Sequence, residues 1–170
     1  MQFQQTLKKN YSFEGKGLHT GKYAKMTVCP APENTGIVFV RTDAGAEATV
    51  AALAENVSNT TRSTTVSQNG VSVSTIEHIL SALTGMGVDN AIIEIDNVEV
   101  PILDGSAKPY IDAIWADGFV QQNEPRKYIE IKEPIEVINK EVGSIVRIEP
   151  AEEFSYDIKV DFNSRVLGVQ

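Results

Sequence analysis

The chain has 170 residues, of which 42% are apolar, so it can bury an ordinary core in one domain or slightly more. Its net charge of -8 gives no electrostatic reason to expect a nucleic acid as partner. No run of about 18 apolar residues occurs, and the N-terminus lacks the basic-then-apolar order of a signal peptide. We therefore expect a cytoplasmic protein that is not integral to a membrane. Cys29 is the only cysteine, which excludes an intrachain disulfide and a thiolate cluster.

The first part of the chain is predicted to contain short strands separated by tight turns. Apolar runs at 25–29 and 37–40 indicate two strands on either side of a turn rich in proline and glycine. Residues 64–73 form two alternating runs around Asn69 and Gly70, the dipeptide that favours a two-residue hairpin. This hairpin leads directly into the segment that carries most of the candidate chemistry.

A first helix is predicted just after the hairpin. Four apolar residues recur there at the spacing of one helical face, namely Ile76, Ile79, Leu80 and Leu83. The glycine-rich segment 85–87 indicates the end of this helix, and the apolar run at 90–95 predicts a returning strand.

A second helix is predicted over 106–116, with Asp104 or Ser106 near its cap. Its core-facing residues are expected to be Ile111, Ile114 and Trp115. The alternation of strands and helices predicts an α+β fold, a two-layer α/β sandwich in which a mixed sheet is covered by two helices on one face.

The character of the chain changes near residue 124. Residues 121–126 are polar, include a proline and lack periodicity, which favours a linker. Residues 156–162 alternate as a half-buried strand would, and further strand cores are expected at Ile129, Ile131, Ile135, Val137, Ile145 and Ile148. Because strands without a covering helix do not close a domain, we predict a first α/β domain at 1–124 and, at 125–170, a linker with the incomplete start of a second, similar domain.

The chain has two histidines, His19 and His78, and any imidazole chemistry must use them. His78 follows Glu77 in the first turn of the first predicted helix. Ser74 and Glu77 also match a capping box, so Glu77 is either a helix cap or a catalytic carboxylate. His78 is either a surface residue or a metal ligand, because neither His-Glu-x-x-His nor a Cys-x-x-Cys partner is present to decide.

Three further segments have both a structural and a functional interpretation. Residues 15–21 form either a tight turn between strands or a loop that approaches a ligand and presents His19. Asp104 either caps the second helix or positions a catalytic group. The polar segment 60–64 is either a solvated loop or the rim of a pocket before His78.

Four segments, taken together, resemble the UDP-3-O-acyl-N-acetylglucosamine deacetylase family. They are Gly-Lys-Gly-Leu-His-Thr-Gly at 15–21, Ser-Thr-Ile-Glu-His-Ile-Leu-Ser-Ala-Leu at 74–83, Gly-Val-Asp-Asn at 87–90 and Pro-Ile-Leu-Asp-Gly-Ser-Ala at 101–107. Their order and spacing are similar to those of the family, and the resemblance extends weakly to 161–163. It covers nearly all of this chain but only about the first half of the family's catalytic unit.

The resemblance implies a zinc-dependent amide hydrolase that removes the acetyl group from UDP-3-O-acyl-N-acetylglucosamine, the committed step of lipid A synthesis. Glu77 matches the family's general base and His78 matches a zinc ligand. His19 matches a histidine near the site, and Asp161 and Phe162 match positions close to the bound sugar.

The family's other two ligands for Zn2+ and a further histidine belong to a second domain, packed face to face with the first. The resemblance therefore implies that residues 1–170 alone are inactive and bind zinc weakly. Without the resemblance, the sequence allows a different interpretation, in which the chain is a non-catalytic α/β binding module and Glu77 is only a helix cap.

One departure from the family pattern concerns the residues after 161–163. Many members continue with His-Pro, whereas this chain continues with Ser164 and Arg165. The sequence at these positions, together with that of residues 56–57 and 60–62, is similar to the bifunctional form of the family. In that form a 3-hydroxyacyl-carrier-protein dehydratase is fused C-terminal to the deacetylase.

Overall fold

The computed structural model describes residues 2–45, 48–162 and 164–170. The chain divides into two compact units, the first ending at Arg126 and the second spanning Lys127–Gln170. Neither helix in the described part is long and apolar enough to cross a membrane.

The described residues of the first unit form ten strands and two α-helices. In chain order they are β1 (Phe3–Leu7), β2 (Tyr11–Lys16), β3 (Tyr23–Pro30), β4 (Ile37–Arg41), β5 (Thr49–Ala51), β6 (Val57–Asn59), β7 (Thr65–Gln68), β8 (Val71–Ser74), α1 (Glu77–Gly85), β9 (Ala91–Ile95), α2 (Lys108–Ile114) and β10 (Phe119–Pro125).

A mixed five-stranded sheet is the centre of this unit. Its strand order is β2-β3-β9-β4-β5, with β4 parallel to β9 and the other pairs antiparallel. Successive side chains in a strand point to opposite faces, and here one face is apolar. Met26 pairs with Ile95 and Val28 with Ile93, and all four side chains are buried on that face.

The two helices cover this apolar face. Ile79 and Leu83 of α1 and Tyr110 and Ile114 of α2 belong to the same buried cluster as the strand residues. Burying one such side chain contributes about 1.5–3 kcal/mol, so this contact is a main source of stability. The predicted α+β class, with a mixed sheet and two helices, is confirmed.

The predicted hairpin is also present and forms part of a second sheet, β6-β7-β8. Asn69 and Gly70 at its tip have φ values of 50° and 79°, the positive values that a type I′ turn requires. Its second strand, β8, ends at Ser74, just before α1. The hairpin therefore fixes where the helix starts.

The predicted linker at 121–126 is wrong, because most of it belongs to β10, which pairs antiparallel with β1. The polar side chains that suggested a linker have partners far away in the sequence. The Gln122 amide donates to the Ala31 carbonyl at 3.0 Å, and the Arg126 guanidinium pairs with Asp89 at 2.8 Å. A polar segment of this kind forms a strand because tertiary contacts supply hydrogen-bond and ion-pair partners for its polar side chains.

The second helix is shorter than predicted, and the expected inward position of Trp115 is wrong. The α-helix ends at Ile114, and Trp115–Asp117 continue as a 3-10 turn, which changes the direction of the side chains. Trp115 is 60% exposed, whereas Tyr110, which was not predicted, is fully buried. Near the start of α2, the Ser106 hydroxyl accepts the Lys108 N–H at 3.1 Å, and the side chain of Asp104 accepts the Ser106 N–H at 2.9 Å.

The second unit contains one antiparallel hairpin in its described part, β11 (Ile135–Asn139) with β12 (Ser144–Ile148). The predicted half-buried strand at 156–162 is wrong: only Asp161 forms a bridge, and Tyr156 is 78% exposed. An alternating sequence becomes a strand only beside a pairing partner, and among the described residues this segment has none over most of its length. That the unit begins a second domain similar to the first stays a prediction.

Candidate functional site

The Glu77 and His78 pair lies at the start of α1, but the predicted capping box is wrong. Ser74 is the last residue of β8, where its N–H donates to the Val98 carbonyl at 2.8 Å. The helix begins three residues later, at Glu77, and Ile76 caps it without a side-chain hydrogen bond. Glu77 therefore does not have the local role that its spacing from Ser74 suggested.

The Glu77 carboxylate is instead held by Thr64, the last residue of the loop between β6 and β7. Its Oε2 accepts the backbone N–H of Thr64 at 3.0 Å, and the side chain is half-buried. Among the described residues, no hydrogen bond is made to the other oxygen, Oε1. One oxygen is thus anchored while the other stays available as a proton acceptor. The polar segment 60–64 consequently contacts the site through its last residue.

The His78 side chain is half-buried beside Glu77 and is available as a ligand. Its backbone carbonyl accepts the Ser81 hydroxyl at 3.0 Å, and within the described ranges its ring nitrogens make no hydrogen bond. An imidazole nitrogen of this kind suits Zn2+. The part of the chain that the structure describes contains no group of three or more His, Cys, Asp or Glu side chains that could hold a metal. The donor set therefore fits one ligand of a zinc site.

His19 lies in the turn between β2 and β3, with its side chain exposed. The turn predicted from the glycines is confirmed: the Gly17 N–H donates to the Lys22 carbonyl at 2.9 Å, and Gly21 has a φ of 66°. That the loop presents His19 to a ligand stays a prediction. The backbone N–H of His19 donates to Glu99 at 2.8 Å, a partner 80 positions away in the sequence.

Glu99 is the residue that the sequence analysis missed. Its side chain is 1% exposed and accepts three hydrogen bonds, from the His19 N–H at 2.8 Å, the Thr20 N–H at 2.7 Å and the Thr75 hydroxyl at 3.0 Å. Burial alone would raise the pKa of this carboxyl, but the hydrogen bonds outweigh it and hold the pKa below its usual value. One indication of this burial was present in the sequence, since Glu99 lies between two apolar residues, Val98 and Val100.

Asp161 and Phe162, the two residues that match positions near the bound sugar, lie in the second unit. Asp161 pairs with Val169 in an isolated antiparallel bridge, and the Phe162 N–H donates to the Gly168 carbonyl at 2.9 Å. Phe162 is 40% exposed, so its ring is accessible. Their place beside a substrate stays a prediction, and Asn163, the last residue of that motif, lies outside the described residues.

Comparison with known proteins identifies the family of this chain. The family model for LpxC, UDP-3-O-acyl N-acetylglycosamine deacetylase, matches residues 4–170. The chain belongs to this family. The membership confirms the resemblance seen in the four sequence segments.

Three relatives of this LpxC-family chain show how much of the family's length is present. It is 46% identical over 170 residues to the "Bifunctional enzyme LpxC/FabZ" of Porphyromonas gingivalis, a match that covers 100% of this chain and 37% of that protein. It is 41% identical over 170 residues to the UDP-3-O-acyl-N-acetylglucosamine deacetylase of Syntrophus aciditrophicus, covering 100% of the chain and 53% of the relative. The enzyme of the same name from Saccharophagus degradans is 46% identical over 164 residues, or 96% of the chain and 54% of that protein.

The chain thus spans between 37% and 54% of the length of these three curated relatives. The adjacent Glu77 and His78 lie within the matched part.

Proposed function

We propose that the full-length protein is a zinc-dependent deacetylase that hydrolyses the acetamide of UDP-3-O-acyl-N-acetylglucosamine in lipid A synthesis. The observation that carries the proposal is the arrangement of Glu77 and His78 at the start of α1. One oxygen of Glu77 is anchored by Thr64 and the other has no hydrogen-bond partner among the described residues, next to an imidazole whose ring nitrogens are available. Membership of the deacetylase family supports the same assignment.

His78 would supply one ligand for Zn2+, and the other ligands are expected in the part of the relatives that this chain does not span. When bound, zinc lowers the pKa of water and polarises a carbonyl oxygen. The adjacent positions of Glu77 and His78 bring the carboxylate and the metal ligand together on one turn of α1. Because both residues belong to the same helical turn, their backbones move together and only side-chain rotation can separate the carboxylate from the imidazole.

Glu77 would act as the general base and then as the general acid. Its Oε1 would accept a proton from the attacking water and donate it to the amine that leaves when the amide bond breaks. The Thr64 N–H, bound to Oε2 at 3.0 Å, would keep the carboxylate in one orientation during both transfers. Holding the carboxylate in place reduces the entropy lost on reaching the transition state.

Three further residues are proposed to contact the substrate. They are His19, exposed on the glycine-rich turn of the first unit, and, separately, Asp161 and Phe162 of the second unit. The name of the Porphyromonas gingivalis relative supports a further proposal, that the full-length protein carries a fused dehydratase.

The proposed location is the cytoplasm, because a chain with Cys29 as its single cysteine suits a reducing compartment.

Replacement of Glu77 by glutamine tests this function. In the full-length protein, Glu77→Gln keeps the size of the side chain but removes the base, so the rate of deacetylation should fall by about 100-fold or more. Zinc content should be unchanged, because Glu77 is not proposed as a ligand. Glu55→Gln, at an exposed glutamate in the 3-10 turn Ala54–Asn56, is the matched control and should keep the full rate.

A non-catalytic binding module gives the opposite result. If the full-length wild type does not release acetate from the substrate, or if Glu77→Gln retains the wild-type rate, the proposed function is wrong. The helix-cap role that this alternative assigned to Glu77 already conflicts with the helix start at Glu77 itself.

A further inference from the structure

Glu99 is a buried carboxylate that none of the roles above uses. A charged group removed from water is costly unless hydrogen bonds compensate it. Here two backbone N–H groups and one hydroxyl donate to it at 2.7–3.0 Å, and no ion pair with Lys, Arg or His is formed in the described part of the chain. The three bonds come from two different segments, so the carboxylate connects them.

The first of these segments is the turn that carries His19. Both of its bonds to Glu99 come from the backbone, at His19 and Thr20. The turn fits closely around the carboxylate, because a Cβ atom added to Gly17 would lie 2.6 Å from Glu99 Cδ. The conformation of the turn is therefore set by the position of Glu99.

The second segment is the corner before α1. Thr75 has a φ of 59°, in the left-handed region that β-branched residues rarely adopt. Such a conformation persists only where the surroundings fix it. The Thr75 hydroxyl donates to Glu99 at 3.0 Å, and the neighbouring Ser74 pairs with the backbone of Val98 and Val100. Glu99 thus stabilises the corner two residues before Glu77.

We propose that Glu99 is a positioning residue, which ties the turn carrying His19 to Thr75 and thereby sets the orientation of Glu77 and His78 at the start of α1. This inference rests on the proposed deacetylase function for its kinetic readout. The coupling to Glu77 runs through the chain itself, from Thr75 over Ile76. It also reaches Thr64, because the Ile76 N–H donates to the Thr64 carbonyl at 3.4 Å and the Thr64 N–H donates to Glu77.

The test uses three variants of the full-length protein. Glu99→Gln keeps the shape but removes the charge and one acceptor oxygen. Thr75→Val keeps the β-branched shape and removes only the hydroxyl. The control is Asn90→Ala, which removes buried hydrogen bonds to Gln4 and Gln122 in the same unit without touching the Glu99 cluster.

Two measurements are made well below the melting temperature. Steady-state kinetics give kcat and KM for UDP-3-O-acyl-N-acetylglucosamine, and amide hydrogen exchange is followed at His19, Thr20 and Thr64. Glu99→Gln should lower kcat about tenfold or more, because misplaced groups lose transition-state interactions, and should also raise KM, because the turn carrying His19 is proposed to contact the substrate. It should also speed exchange at all three amides. Thr75→Val should act in the same direction, and the double variant should be no slower than Glu99→Gln alone.

A purely structural role predicts a different pattern. Glu99→Gln would then behave like Asn90→Ala, with a lower melting temperature, a wild-type kcat and unchanged exchange at Thr64, and the inference would be overturned. If Glu99→Gln fails to fold, Thr75→Val decides by the same two measurements. If the wild type does not deacetylate, the proposed function fails, and exchange at Thr64 alone decides whether Glu99 positions Glu77.

Discussion

Replacing Gly17 by alanine should destabilise the first unit, although the substitution adds only one methyl group. The new Cβ would lie 2.6 Å from Glu99 Cδ and 2.9 Å from Thr20 Oγ1, and closer still to Glu99 Oε2. Cβ atoms essentially never approach other atoms within 3.0 Å, so the turn or the carboxylate must move. Because the carboxylate is buried and holds three hydrogen bonds, it cannot move without breaking some of them.

The cost follows from the bonds that would be lost. A hydrogen bond to a charged group contributes about 1.5–3 kcal/mol, so loss of two bonds corresponds to about 3–6 kcal/mol. This is a large fraction of the roughly 5–15 kcal/mol by which a domain is stable. Gly85→Ala, at the end of α1, is the matched control, because a Cβ there meets nothing within 4 Å.

Urea unfolding of the full-length protein, followed by circular dichroism, measures the difference. We expect a lower free energy of unfolding for Gly17→Ala and a change within about 1 kcal/mol for Gly85→Ala. A Gly17→Ala variant that is as stable as the wild type would refute the close packing of Glu99 against the turn.

Two further predictions concern buried polar groups. The pKa of Glu99 is lower in the folded protein than its ordinary value of 4.5, so its stabilising effect is present above pH 4.5 and is lost as the pH falls through the folded-state pKa. The melting temperature of wild type relative to Glu99→Gln should accordingly fall in that acidic range, and a difference independent of pH would contradict the shift. Tyr110→Phe removes the hydrogen bond from the phenol to the Pro101 carbonyl at 3.0 Å and should cost about 1–3 kcal/mol of unfolding free energy by chemical denaturation, whereas an unchanged midpoint would argue against that bond.

Sequence reasoning succeeded where structure depends on neighbouring residues. The turn at Asn69 and Gly70 needs only their tolerance of positive φ, and the apolar face of α1 needs only helical spacing. The adjacency of Glu77 and His78 was likewise visible without any tertiary information. Such features are encoded within a few residues of one another.

The errors have the opposite origin, since each involves partners far apart in the chain. β10 was interpreted as a linker because its pairing with β1 is not visible in its own composition. The capping box failed because pairing of Ser74 with Val98 keeps it in β8. Glu99 was missed because its donors at His19 and Thr20 lie about 80 positions away. No local pattern predicts contacts of this kind.

The pairing of β1 with β10 has a consequence for synthesis on the ribosome. The hydrogen bonds given above for the side chains of Glu77 and Glu99 join residues between His19 and Glu99, whereas β1 pairs with a strand that ends at Pro125. Contacts between distant residues form late, because the intervening chain must first be closed into a loop. The candidate site should therefore form before β10 pairs with β1. A shortened protein that ends before Phe119 would leave β1 with an exposed strand edge prone to aggregation.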